Sequence, residues 1–140
     1  MSKTIKLLSD VELLAAPESE YMSEAQLTSF RQRLLAEESA LRGSANATTQ
    51  HLQVTEAPAD PTDRASTEEE HMLELRMRDR ERKLLKKIAK ALQRIEDRSY
   101  GWCEESGEQI GIVRLLARPT ASLCLESQER YEQRKRQFSG

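Results

Sequence analysis

Two cysteines and two serines have the spacing in this chain that most resembles chemistry. Cys103-Glu104-Glu105-Ser106 and Cys124-Leu125-Glu126-Ser127 have the outline of two zinc knuckles, since C-x-x-C on a tight turn brings two sulfurs to adjacent corners of a tetrahedron. The 17 residues between Ser106 and Cys124 fit the usual ribbon spacing. Each knuckle, however, has serine at its second position, and a neutral hydroxyl is a poor zinc ligand beside a thiolate. Three readings stay open: a zinc-free fold with both cysteines as small buried side chains, zinc held by two sulfurs and borrowed ligands, or a redox pair closing a disulfide. The missing donors favour the first. The two histidines, His51 and His71, lie far along the chain from the knuckles, and Glu104, Glu105 and Glu126 read as surface residues.

A second constellation is Asp60-Pro61-Thr62-Asp63-Arg64-Ala65. Asp60 suits an N-cap, Pro61 the first helical position, and Asp63 the positive end of a helix dipole. Capping explains these residues without any function, yet a capped turn also presents its carboxylates outward. A third is the set Arg76, Arg80, Lys83 and Lys87, which recurs at helical spacing. It reads as a solvated stripe paired with acids, or as a contact for an anion or an acidic protein. Neither a phosphate loop nor a Ser/His/Asp set nor a metalloprotease helix is present. Two exposed aspartates would not have the separated pKa values that acid–base catalysis needs, so the chain is not read as an enzyme.

The elements that must position these groups follow from periodicity. Residues 1–21 read as a tail with at most a weak helix, joining a small body. Ser23-Glu24-Ala25-Gln26 is a capping box, with Met22 and Leu27 placed as a hydrophobic staple. Leu27, Phe30, Leu34, Leu41, Ala45, Thr48 and Leu52 then form a diluted seam, which should end before Pro58. A second long helix, starting between Pro61 and Thr67 and ending near Arg98, carries the seam Leu85, Ile88, Leu92 and Ile95. The expected fold is mainly α: a long antiparallel two-helix coiled-coil hairpin over 22–98 with its tip at 58–66, on a small zinc-ribbon-like body. That body, 99–140, holds the clustered glycines and a C-terminal helix from about Leu125 to Gln137.

Composition agrees. Of 140 residues 37% are apolar and 33% charged, too little apolar material for a large core but enough for narrow helix stripes. A net charge of -2 gives no overall field favouring a polyanion, so free DNA binding is not expected. No apolar run reaches the roughly 20 residues of a membrane span, and the N-terminus lacks export features. The expected compartment is the cytoplasm.

Taken in order, Glu20-Tyr21-Met22-Ser23-Glu24-Ala25-Gln26-Leu27, the Asp60 to Ala65 tip, the run Leu73 to Leu84, Ile110-Gly111-Ile112 and Ala117-Arg118-Pro119-Thr120-Ala121 strongly resemble the DksA/TraR family of bacterial transcription factors. The resemblance runs from about residue 20 to the end. It implies a regulator, expected as a monomer, that binds RNA polymerase and not promoter DNA by inserting a coiled coil into the secondary channel. With the alarmone ppGpp such a factor inhibits ribosomal RNA promoters and favours some biosynthetic ones in the stringent response. By position, Asp60 and Asp63 match the tip acids, with Ala65 beside them. Arg80 matches a docking residue, while Leu84, Lys87 and Arg118 match the ppGpp-responsive surface. Gln128 stands where familiar members carry lysine, which removes one cation facing the phosphates. Familiar members have four cysteines, but the family also contains zinc-independent paralogues with an incomplete set, and this chain resembles those. No cofactor is expected to be required. The alternatives are a DNA-binding zinc ribbon with a coiled-coil dimeriser, and a thiol redox protein acting through Cys103 and Cys124.

Overall fold

Ser9 and Glu12 start the first element by capping each other. The Ser9 hydroxyl accepts the Glu12 amide at 3.2 Å, and the Glu12 carboxylate accepts the Ser9 amide at 3.3 Å. The short helix they open, α1, spans Asp10–Ala15, and a single 3-10 turn, Glu18–Glu20, follows Pro17. Two long helices come next, α2 (Glu24–Val54) and α3 (Pro61–Asp97), then α4 (Ile112–Ala117) and α5 (Leu125–Ser139). The structure, a computed structural model, describes residues 7–54 and 61–139, with side chains described for 7–44 and 61–138. Pro58, Ala59 and Asp60 of the 58–66 tip, and the side chains of Ala45, Thr48, His51 and Leu52, lie outside the described residues. The architecture is mainly α, with two long antiparallel helices and a C-terminal helix, as the sequence indicates.

The chain divides into two compact units, Met1–Leu34 with Ala89–Gly140, and Leu35–Ile88. In the first unit the segment expected as a tail is tied down. Leu13 is 1% exposed, the Leu8 amide donates to Ser29 Oγ at 2.9 Å, Arg33 pairs with Asp10, and α1 packs on α4. Ser23 caps α2 through the Gln26 amide, at 3.4 Å. The Gln26 side chain, however, accepts the Met22 amide at 2.8 Å rather than that of Ser23, whose amide already donates to the Glu20 carbonyl.

Leu27, Phe30 and Leu34 of α2 and Ala91 and Ile95 of α3 are buried together with Tyr100, Ile110 and Leu115 in the core of the first unit. On α3 the buried line is Ile88, Ala91 and Ile95, whereas Leu85 and Leu92 are only half-buried. The expected seam is thus rotated toward a small residue, which permits close approach. α3 stops in a Schellman turn: the amide of Ser99 donates to the Arg94 carbonyl at 2.9 Å and that of Arg98 to the Ile95 carbonyl at 3.2 Å. Arg98 takes the left-handed position, φ 64, that glycine usually fills, and its side chain pairs with Glu24.

The second unit has a different character. Among its described residues only Ile88 and Glu81 are buried, and Met72, Leu73, Leu75 and Met77 are about half-exposed. No helix among the described residues is long and apolar enough to cross a membrane.

Candidate functional site

Cys103, Ser106, Cys124 and Ser127, paired across the sequence only by spacing, meet in space. Cys103 Sγ lies 3.3 Å from Ser127 Oγ, and Cys124 Sγ lies 3.2 Å from the same oxygen. Ser106 closes the other edges: its amide donates to Cys103 Sγ at 3.4 Å, and its hydroxyl is 3.7 Å from Cys124 Sγ. A zinc–sulfur bond of about 2.3 Å implies tetrahedron edges of roughly 3.8 Å. The four corners are therefore ribbon-like but drawn in, joined by hydrogen bonds along their edges. Among the described residues no group of three or more His, Cys, Asp or Glu is placed to hold a metal. Two thiols and two neutral hydroxyls that satisfy one another do not fit zinc.

Ser127 is fully buried and receives three groups, the two sulfurs and Arg130 Nη2 at 3.2 Å. A hydroxyl oxygen has two lone pairs, so at least one contact must run the other way, with Ser127 donating to sulfur. Cys103 is the natural acceptor. Burial pushes its thiol up, but hydrogen bonds from the Ser106 and Ser127 side chains and from the Cys124 and Ser106 backbone outweigh this and lower it to about 6.

The turn that carries Cys103 is clamped by residues that spacing did not single out. Arg94, in the last turn of α3, donates to the carbonyls of Ser99, at 3.0 Å, and of Trp102, and its Nε lies 3.6 Å from Glu104. Tyr21 donates its hydroxyl to the Gly101 carbonyl at 2.5 Å, accepts the Gly111 amide at 2.9 Å, and meets Trp102 edge-on at 5.3 Å. Burial raises the Tyr21 phenol, partly offset by hydrogen bonds with the backbone at Gly111 and Ile110. Gly101 has φ +90, and a Cβ there would lie 2.6 Å from Met22 Cγ. Tyr100 packs against Phe30 at 5.6 Å and donates to the Pro119 carbonyl at 2.6 Å. One signal for Arg94 existed in the sequence: a basic residue in a helix's last turn just before a glycine turn.

The other candidate residues divide between the units. Asp63 is in the first turn of α3, with Ala65 one half-turn on, and both are exposed. Arg80 and Lys87 are exposed and Leu84 is half-buried, all three along α3 in the second unit. The bland reading of the basic stripe holds at one point, where Lys83 pairs with Asp79 at 3.1 Å. Arg118 is exposed just after α4, in the first unit. Gln128, half-buried on α5, donates to Glu132 at 3.2 Å. Sequence reasoning missed Glu81, a buried carboxylate that accepts the Ser44 hydroxyl at 3.0 Å.

Residues 26–95 match the family described as DnaK suppressor protein DksA, N-terminal domain. Residues 98–133 match the prokaryotic dksA/traR C4-type zinc finger, although two of its four cysteine positions are serine here. The chain is 53% identical over 117 residues to the RNA polymerase-binding transcription factor DksA of Caulobacter vibrioides, covering 83% of this chain and 82% of that one. Against the protein of the same description from Escherichia coli K12 it is 51% identical over 125 residues, covering 89% and 83%. The solved structure of transcription factor DksA2 from Pseudomonas aeruginosa superposes with a TM-score of 0.81 at 47% identity, covering 91% of this chain and 99% of that one. With both halves matched in order, the chain belongs to the DksA/TraR family.

Proposed function

We propose that this protein is a transcription factor that binds RNA polymerase through the secondary channel and modulates initiation together with ppGpp. It acts by contact and not by catalysis. The observation that carries the reading is 51% identity to a polymerase-binding factor over 89% of the chain. Within it, Asp60, Asp63 and Ala65 form the working tip, Arg80 supports docking, and Leu84, Lys87 and Arg118 belong to the ppGpp-responsive surface. The exposure of Arg80, Lys87 and Arg118 supports these roles, because guanidinium and ammonium groups free to meet phosphate give strong charge-assisted hydrogen bonds. Polymerase offers the partner that a net charge of -2 denies to free DNA.

In vitro transcription from a ribosomal promoter, with and without ppGpp and with protein of measured metal content, tests the reading. Inhibition strengthened by ppGpp is the expected result. Absence of inhibition despite polymerase binding would remove the regulatory role, and steeply salt-dependent binding to promoter DNA alone would replace it with a nucleic-acid ribbon.

A further inference from the structure

Cys103 and Cys124 are left without a role once zinc is set aside. Both are buried, at 3% and 8% exposure. Their sulfurs flank a single atom, Ser127 Oγ, at 3.3 and 3.2 Å, and Ser106 holds the opposite edges through its amide and hydroxyl. The cluster therefore fixes two soft donors close together while offering only neutral oxygens at the remaining corners. Zinc is satisfied by four strong ligands. Thiolates select soft ions, copper(I) foremost, and such monovalent ions are content with two sulfurs. We propose that Cys103 and Cys124 form a two-coordinate capture site for a soft monovalent cation of the copper(I) class.

Binding forms two metal–sulfur bonds and releases the two thiol protons to solvent, while the metal stays monovalent. The bound unit carries one net negative charge, which the site is built to receive. Arg130 Nη2 lies 3.2 Å from Ser127 Oγ, and the Ser106 amide already points at Cys103 Sγ. With no S–H left to donate to it, the Ser127 hydroxyl goes on donating to a thiolate. Residues 104 to 108, which form the turn of the first knuckle, are all exposed, so only this turn separates the cluster from solvent on that side. The site is independent of the polymerase reading and serves no step in it.

The test titrates the reduced, metal-free full chain anaerobically with copper(I) in competition with bicinchoninate, and in parallel with zinc(II) in competition with a chromophoric chelator. One copper(I) per chain should be withdrawn from the competitor, with zinc bound at least about a hundredfold more weakly. Cys103→Ser and Cys124→Ser should each weaken copper binding by about a hundredfold or more, whereas Ser106→Ala should change it by less than about tenfold. Circular dichroism checks that the variants fold. Should either cysteine variant fail to fold, X-ray absorption on the unaltered protein decides instead, with two sulfur neighbours expected and no nitrogen shell. No copper withdrawn, zinc held as tightly as copper, binding that survives loss of either cysteine, or a spectrum with three or more ligands would overturn the proposal.

Discussion

The two units of this molecule use the same pair of long helices for opposite ends. In the first, α2 and α3 bury Leu27, Phe30, Leu34, Ala91 and Ile95 among Tyr100, Ile110 and Leu115, and the chain around Cys103 is clamped by named hydrogen bonds. In the second, charges and half-exposed apolar residues dominate, and one of the two side chains buried among its described residues is a carboxylate. Side chains in the first unit are fixed by neighbours, so their substitution should cost stability. The described side chains of the second mostly face solvent. Burial and exposure are thus divided along single helices, and substitutions should report that division.

The largest loss should come from Phe30→Ala. Phe30 is 0% exposed and packs on Tyr100, so urea denaturation should show a loss of about 3–5 kcal/mol. Gly101→Ala comes next, at about 2–4 kcal/mol, because an L side chain at φ +90 is strained and its Cβ meets Met22. Adding Met22→Ala should recover the crowding part and leave the backbone part, and a double-mutant cycle separates the two. Ser127→Ala should cost about 1–3 kcal/mol, since it strips two thiols and Arg130 of a shared buried partner. A neutral result there would mean that the hydrogen-bonded corners do not replace the missing metal.

The parts of this division that were legible in the sequence are those decided by local signals. Pro61 and the 3.6-residue period gave α3 its bounds, and the glycine cluster marked the body. The C-x-x-S spacing brought four residues to one cluster. Other parts depend on partners far along the chain. Tyr21 fastens Gly101 from 80 positions away, and no local pattern announces such a bond. The helix α1 was legible only as a weak helix within a tail, because Leu13 alone of its six residues is buried, too little to register as periodicity. Its Ser9 and Glu12 cap was nevertheless written in the sequence and could have been read. Ala91 takes the buried line and Leu92 is half-buried, a one-residue rotation that the spacing of the large apolar residues does not reveal.

Glu81 is where the second unit departs from its own pattern. The carboxylate is 8% exposed, one oxygen accepts from Ser44, and Oε2 has no hydrogen-bond partner among the described residues. Leaving a polar atom buried and unpaired costs stability, so Glu81→Leu should stabilise the protein by about 1 kcal/mol in thermal unfolding. Polymerase binding should then be compared with the unaltered protein. Unchanged binding would mark Glu81 as a packing irregularity, while weaker binding would mean that the middle of the hairpin contributes to recognition.

Asp63→Asn should have the smallest effect on stability and the sharpest effect on function. Asp63 is exposed in the first turn of α3, where its charge meets the positive end of the helix. That interaction is worth about 0.3–1 kcal/mol and is screened by salt, so the substitution should lower stability by no more than this at low ionic strength and by less at high. Asparagine keeps the size and a hydrogen-bonding oxygen, and removes only the charge. If the carboxylate acts on polymerase, inhibition of the ribosomal promoter should fall at least about tenfold while affinity for polymerase stays within about threefold, as expected for a group whose energy is spent after docking. If Asp63 merely starts the helix, inhibition and affinity should fall together and track the small loss of stability. Repeating the assay with Asp60→Asn, alone and combined, decides whether the two carboxylates act as one unit, because effects that fail to add identify groups that work together.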